Sequence, residues 1–218
     1  MSDPAAGYQK FPNRAEAGRV LGLHLLGLAR ENPVVVALPR GGVPVALEVA
    51  RQLRAPMELF VVRKIGLPGH PELAMGAIGE GGGQYFDTEL MRRLGVSRGN
   101  LEPVEEKEQL ELERRVAIYQ KGRKATSISG RPVIIVDDGA ATGTTARVAI
   151  DAMRAKGASR VIVAVPVASS EAIAELRQHA DEVVSVLRPT SFAAVGQWYR
   201  DFAQLSDRDV MEMLDSHG

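Results

Sequence analysis

The sequence predicts an α/β fold, a doubly wound, mostly parallel sheet flanked by helices. Three observations predict it. Residues 34–38 and 133–136, and residues 160–166 after the opening Arg160, are runs of β-branched and apolar residues, the continuous hydrophobicity of strands buried on both faces. Segments with helical spacing alternate with them, as in βαβ crossovers. Small-residue loops stand just after two of these runs, where open α/β sheets bind ligands.

Taken in order, residues 14–30 carry Val20, Leu21, Leu25 and Leu28 at helical spacing, predicting a helix that covers the sheet. His24 lies within it and reads as a packing or surface residue. Residues 34–38 form the first buried strand. Arg40, Gly41 and Gly42 make a tight loop, and Pro44 sits where a first helical turn tolerates proline. That helix runs to about Leu53. Residues 59–63 read as the second strand. Residues 65–71, rich in Gly and Pro, read as a mobile loop. Residues 74–78 and 84–86 look like short extended pieces, separated by Gly81, Gly82 and Gly83.

The character changes over residues 87–124, a helical insertion. Asp87 is placed to cap a short helix ending at Gly95, and Asn100 to cap a longer one. The longer helix has Leu112, Val116 and Tyr119 on one face, with Glu111 and Arg115 spaced as an i,i+4 pair. Residues 160–166, 169–179 and 181–187 follow as strand, helix and strand. The segment 188–218 gathers Phe192, Trp198, Tyr199 and Phe202, and a last helix begins near Asp207. The 218 residues suit one domain carrying these two elaborations.

Composition excludes several classes. Lys+Arg and Asp+Glu are both 27, whereas a duplex-binding protein carries a basic excess, so nucleic acid is not an expected partner. There is no cysteine, so thiol catalysis and disulfides are excluded. No apolar stretch is long enough to span a membrane, and the N-terminus lacks a signal-peptide apolar core. The expected location is the cytoplasm.

The most informative run is VIIVDDGAATGTT, residues 133–145. A buried strand ends in two adjacent carboxylates, Asp137 and Asp138. A loop of small residues and hydroxyls follows, and a helix opens near Thr144. Its unpaired N–H groups and positive dipole end suit a phosphate. Carboxylates do not bind phosphate but accept hydrogen bonds from sugar hydroxyls. One motif can therefore hold an anion and a diol. The plainer alternative is a turn with a helix cap. Neither G-x-G-x-x-G nor G-x-x-x-x-G-K-[ST] occurs in the positions those motifs require.

With these residues placed, the chain resembles a type I phosphoribosyltransferase over about residues 34–187. The resemblance implies a phosphoribosyltransferase-like fold and a ligand, phosphoribosyl pyrophosphate (PRPP). It implies that Asp137 and Asp138 hold the ribose hydroxyls, and that Ala141, Thr142, Gly143, Thr144 and Thr145 hold the 5-phosphate. Arg40, Gly41 and Gly42 would bind pyrophosphate. Taken alone, Arg-Gly-Gly is equally an ordinary left-handed turn. Arg63 and Lys64 would be the catalytic cations at the start of a flexible loop, with His70 and Glu72 as weaker candidates. The implied reaction displaces pyrophosphate at C1 of PRPP by a nitrogenous acceptor. Mg²⁺ would be the cofactor, carried by PRPP rather than by direct protein ligands. A homodimer is an expectation without a specific signal.

The departure from the family is at Ala141 and Thr144. Purine salvage members that share this motif place an acid and a Lys there, the acid serving as general base. Ala141 has no such group, so the usual purine base catalyst is missing. A sensor that binds PRPP or a nucleotide without turnover is the alternative. The acceptor would be chosen by a hood, built from residues 87–124 or from the aromatic cluster between Phe192 and Phe202. Such a cluster more often packs a terminal helix, and packing is the preferred reading.

Overall fold

The computed structural model describes residues 10–216. In chain order, α1 (Arg14–Leu25) leads through a 3₁₀ segment to β1 (Val34–Ala37), α2 (Gly42–Leu53) and β2 (Met57–Leu59). Next come β3 (Val62–Leu67), β4 (His70–Gly79) and β5 (Gln84–Phe86), then α3 (Thr88–Leu94) and α4 (Arg98–Tyr119). The chain continues through β6 (Pro132–Val136), α5 (Thr144–Ala155), β7 (Arg160–Val167), α6 (Ser170–Leu176), β8 (Glu182–Leu187) and α7 (Asp207–Asp215).

Five strands form a parallel sheet in the order β2-β1-β6-β7-β8. Every residue of β1 and β6 is buried. Their side chains divide by parity, as a pleated strand requires. Val35, Ala37, Ile134 and Val136 face α1 and α2. Val34, Val36, Val133 and Ile135 face α5 and α6. Winding reverses between β1 and β6, so the doubly wound expectation holds and the switch point lies between these two strands. Ligands bind at such a crevice, beyond the strands' carboxyl ends.

The acid pair follows directly on β6, so the packing of that strand fixes the site. Ile135 is fully buried in the α5 face of the core. Ile135→Ala is expected to cost about 2–5 kcal/mol, the loss typical of a buried large-to-small change. Denaturant unfolding of the purified variant measures this. A cost below about 1 kcal/mol would mean that the strand is not packed as described.

Several local expectations need correction. Residues 59–63 are not one strand. β2 ends at Leu59, and Val62 opens β3 in a separate antiparallel sheet of order β3-β4-β5. Residues 65–71 are not a loop. They pair as a hairpin in which Leu67 faces His70, with irregular register on either side of Gly66. Gly and Pro have positional reasons here. A Cβ on Gly66 would run into the backbone of Pro71, and Gly69 turns the chain at φ 83°. The longer insertion helix is capped by Ser97, not Asn100. Asn100 is the reciprocal partner three residues on, accepting from Ser97 N at 2.8 Å, as in a capping box. The first helix is α-helical only to Leu25 and becomes 3₁₀ over Leu26–Glu31. Asp87 does cap α3, accepting from Leu90 N at 2.8 Å, and Glu111 and Arg115 do pair, at 2.7 Å. His24 lies exposed on α1. Among the described residues no helix is long and apolar enough to cross a membrane.

Candidate functional site

The strand-loop-helix around β6 folds as its residues dictate. The strand ends at Val136, and Asp138 N donates to Asp137 Oδ1 at 2.8 Å, which turns the chain out of the sheet. Gly143 then stands at φ 81° immediately before α5. Few side chains adopt that conformation, so glycine is required there. The Thr142 and Thr144 hydroxyls are 2.9 Å apart. The loop is pinned from the end of β7 and the cap of α6: Ala140 N donates to Val167 O at 2.9 Å, and Ser169 Oγ donates to Ala141 O at 2.6 Å. The loop is thus held open ahead of the first turn of a twelve-residue helix, whose leading N–H groups attract anions.

The loop after β1 lies directly against the acids. The Pro39–Arg40 peptide bond is cis. Gly41 is in the right-handed region, at φ −62°, so the left-handed turn is not what this loop contains. Glycine is needed for close approach instead. A Cβ on Gly41 would overlap the Asp138 carboxylate, and one on Gly42 would lie 2.6 Å from Val136 O.

A cleft of about 850 Å³ opens here, beyond the ends of β1 and β6. Arg40, Gly41, Arg63, Lys64, Asp138 and Thr145 all line it. Three segments distant in sequence thus meet at one place. Asp137 sits behind Asp138, and Gly42 supports the loop from beneath Asp137. The cleft's lining includes six cations, Arg14, Arg40, Arg63, Lys64, Lys107 and Arg115, against the carboxylates of Glu72, Glu108 and Asp138. A neutral chain has therefore concentrated positive charge in its cleft, which favours a polyanion.

The two candidate cations are held differently. Arg63 is bound to Glu108 of α4, its Nε donating at 2.7 Å. Lys64 is exposed, and its charge acts on both Asp137 and Asp138. Arg40 Nη1 lies 3.7 Å from Asp207 Oδ1, at the start of α7. Of the weaker candidates, Glu72 lines the cleft, while His70 is exposed at the hairpin turn.

Burial pushes the Asp137 carboxyl well above the ordinary carboxylate range, and the neighbouring Asp138 charge pushes it further. Burial likewise raises Asp138, against the hydrogen bond and charge of Arg14. Two carboxyls side by side resist double ionisation. A ligand that supplies hydroxyl donors and brings cations relieves this cost.

The sequence model of the phosphoribosyl transferase domain matches residues 14–202. The chain belongs to the phosphoribosyl transferase family. A Mycobacterium tuberculosis (strain H37Rv) protein named "Putative phosphoribosyl transferase Rv0571c" is 45% identical over 205 residues, covering 94% of this chain. The match covers 46% of that protein, so the chain spans about half the length of this curated relative. The crystal structure of TT1426 from Thermus thermophilus is 42% identical, covers 94% of this chain and 98% of its own, and has a TM-score of 0.78.

The phosphoribosyl transferase match begins earlier and ends later than the resemblance read from the sequence. Both added ends contribute to the cleft. Arg14 of α1 donates through Nε to Asp138 Oδ2 at 2.8 Å, and Tyr199 Oη donates to Asp138 O at 2.5 Å. Phe202, Gln204 and Leu205 line the cleft from one side, and Val104, Lys107 and Glu108 of α4 line it from another. Both segments considered for the hood therefore border the cleft. The rest of the aromatic cluster packs: Tyr199 and Phe11 share a buried cluster, and Phe192 stacks on Trp198 at 6.4 Å between ring centroids. Nothing local in the sequence singles out Arg14 or Tyr199. Their partner lies 124 and 61 residues away.

Proposed function

We propose that this chain binds PRPP with Mg²⁺ and transfers its 5-phosphoribosyl group to a nitrogenous acceptor, releasing pyrophosphate. The observation that carries the reading is the meeting of Asp138, Arg40, Lys64 and Thr145 in one cation-rich cleft at the switch point. Asp137 and Asp138 would accept hydrogen bonds from the ribose 2- and 3-hydroxyls. The loop from Ala141 to Thr145, with the start of α5, would hold the 5-phosphate. Arg40, Gly41 and Gly42 would hold the pyrophosphate, with Arg63 and Lys64 at the leaving group.

In the reaction the C1–O bond to pyrophosphate breaks and a C1–N bond to the acceptor forms. Positive charge grows on the ribose ring and negative charge on the leaving oxygens. The work of these residues is to position the partners and stabilise that charge separation. Lys64 and Arg40 would stabilise the developing anion, and the Asp pair would hold the ribose on which the cation develops. The cleft's carboxylates belong to separate elements, and no group of three or more metal-binding side chains occurs among the described residues. Mg²⁺ would therefore come with PRPP, held by its oxygens and water, and would neutralise part of the pyrophosphate charge.

A second reading has a specific observation behind it. Ala141 carries no carboxylate, and its carbonyl is engaged by Ser169. A regulatory protein that binds PRPP or a nucleotide without turnover needs no general base. Pyrophosphate release, assayed with PRPP, Mg²⁺ and a panel of purines, pyrimidines and small amines, separates the two. Acceptor-dependent release supports the transferase. Saturable PRPP binding without release on any acceptor supports the sensor and overturns the transferase.

A further inference from the structure

Arg14 lies 124 residues before Asp138 in sequence but touches it in space. Its Nε donates to Asp138 Oδ2 at 2.8 Å, and its Nη1 donates to Ala203 O at 2.9 Å. Its guanidinium lies 3.8 Å from the centroid of the Phe202 ring. The Arg14 and Asp138 side chains are 11% and 14% exposed, so the pair is shielded from water, where a charge-assisted hydrogen bond is strong. The other end of the same C-terminal segment is tied to Asp138 as well, through the Tyr199 hydroxyl.

We propose that Arg14 is a positioning residue for the donor site. It fixes the Asp138 carboxylate in the orientation that receives a ribose hydroxyl and couples that carboxylate to the C-terminal segment lining the cleft. The proposal rests on the PRPP reading above. Arg14 uses one lone pair of Oδ2, and a carboxylate has others to offer a hydroxyl. A lysine could supply the charge but not the fork that spans Asp138 and Ala203. The charged and titratable groups around the Asp138 carboxyl are Asp137 on its own strand end, Lys64 from β3 and Tyr199 from the C-terminal segment, besides Arg14. Of these, Arg14 is the cation that hydrogen-bonds it.

The test compares wild type, Arg14→Gln and Arg14→Lys as full chains, with thermal unfolding checked for each. Two quantities are read. The first is the acid titration of the Asp138 carboxyl carbon by NMR, without ligand. The second is the pH dependence of PRPP affinity in the presence of Mg²⁺, by calorimetry. Without Arg14, the burial that raises Asp138 is still opposed by the charge of Lys64 but no longer by the guanidinium, so its proton is held to higher pH. In Arg14→Gln the NMR titration and the acid limb of binding should both move up in pH, and affinity near neutrality should fall about tenfold. Arg14→Lys should restore the acid limb more fully than the affinity. An unmoved Asp138 titration in Arg14→Gln overturns the proposal, even if affinity falls, because a merely structural role predicts that result. Wild-type affinity with an unmoved acid limb overturns it too. If wild type fails to bind PRPP, the donor reading fails, and the NMR titration still decides whether Arg14 controls Asp138.

Discussion

Asp138→Asn is expected to weaken PRPP binding about 10- to 100-fold while leaving the chain folded. An amide keeps the shape of the side chain but replaces an anionic acceptor with a neutral one. Hydrogen bonds to a charged group contribute about 1.5–3 kcal/mol, which sets that range. The same change alters the pH dependence of stability. Burial raises the Asp138 carboxyl above its ordinary value in the folded chain. The folded state therefore holds this proton more tightly than the unfolded chain does. Wild type loses that contribution to stability as pH rises from the ordinary carboxylate range through the raised folded value, and Asn has no proton to lose. The unfolding midpoint of Asp138→Asn relative to wild type should therefore move in the variant's favour as pH rises. Calorimetric titration with PRPP and Mg²⁺ reads the first effect, and thermal unfolding at acid and neutral pH reads the second. Undiminished affinity would remove Asp138 from the site.

Gly41→Ala and Gly42→Ala should act by different routes, although they are neighbours. The added Cβ of Gly41→Ala meets the Asp138 carboxylate, a side chain that can swing aside. Swinging aside breaks its alignment with Arg14 and with any sugar hydroxyl. We expect a loss of PRPP affinity of about 100-fold, since small displacements in a positioned site are costly, together with about 1.5–3 kcal/mol of stability from the broken hydrogen bond to Arg14. The Cβ of Gly42→Ala meets the Val136 carbonyl at 2.6 Å and Asp137 Cα at 3.0 Å. Both are backbone atoms at the end of a buried strand and have little room to yield. That variant is expected to lose about 1–3 kcal/mol of stability, as overpacked sites do. Denaturant unfolding and calorimetry on both proteins check the contrast. Undiminished PRPP affinity in Gly41→Ala would contradict the contact geometry.

The residues show why some of this was legible in the sequence and some was not. Residues 133–145 could be read because the features that shape them are local: a buried strand, a turn at Asp137, a positive-φ Gly143 and a helix start. The αβ alternation was legible for the same reason. The hairpin of β3 and β4 was misread because Gly66, Pro68, Gly69 and Pro71 carry loop composition. Of the two glycines, Gly69 makes the turn, while Gly66 is small because the opposing Pro71 backbone passes close to it. Composition cannot distinguish those two uses of glycine. The cleft's remaining wall was beyond local pattern altogether. Arg14 reaches Asp138, Arg63 reaches Glu108, and Asp207 sits beside Arg40. Each pair joins segments that only the finished fold brings together.

A calorimetric titration of the full chain with PRPP, with Mg²⁺ present, tests most directly whether the acid pair and the cationic cleft form one PRPP site. Saturable binding is predicted, with a matching rise in the unfolding midpoint, as expected for a ligand that binds only the folded state. No heat of binding and no midpoint shift at about millimolar PRPP, where even a weak site would be filled, would contradict it.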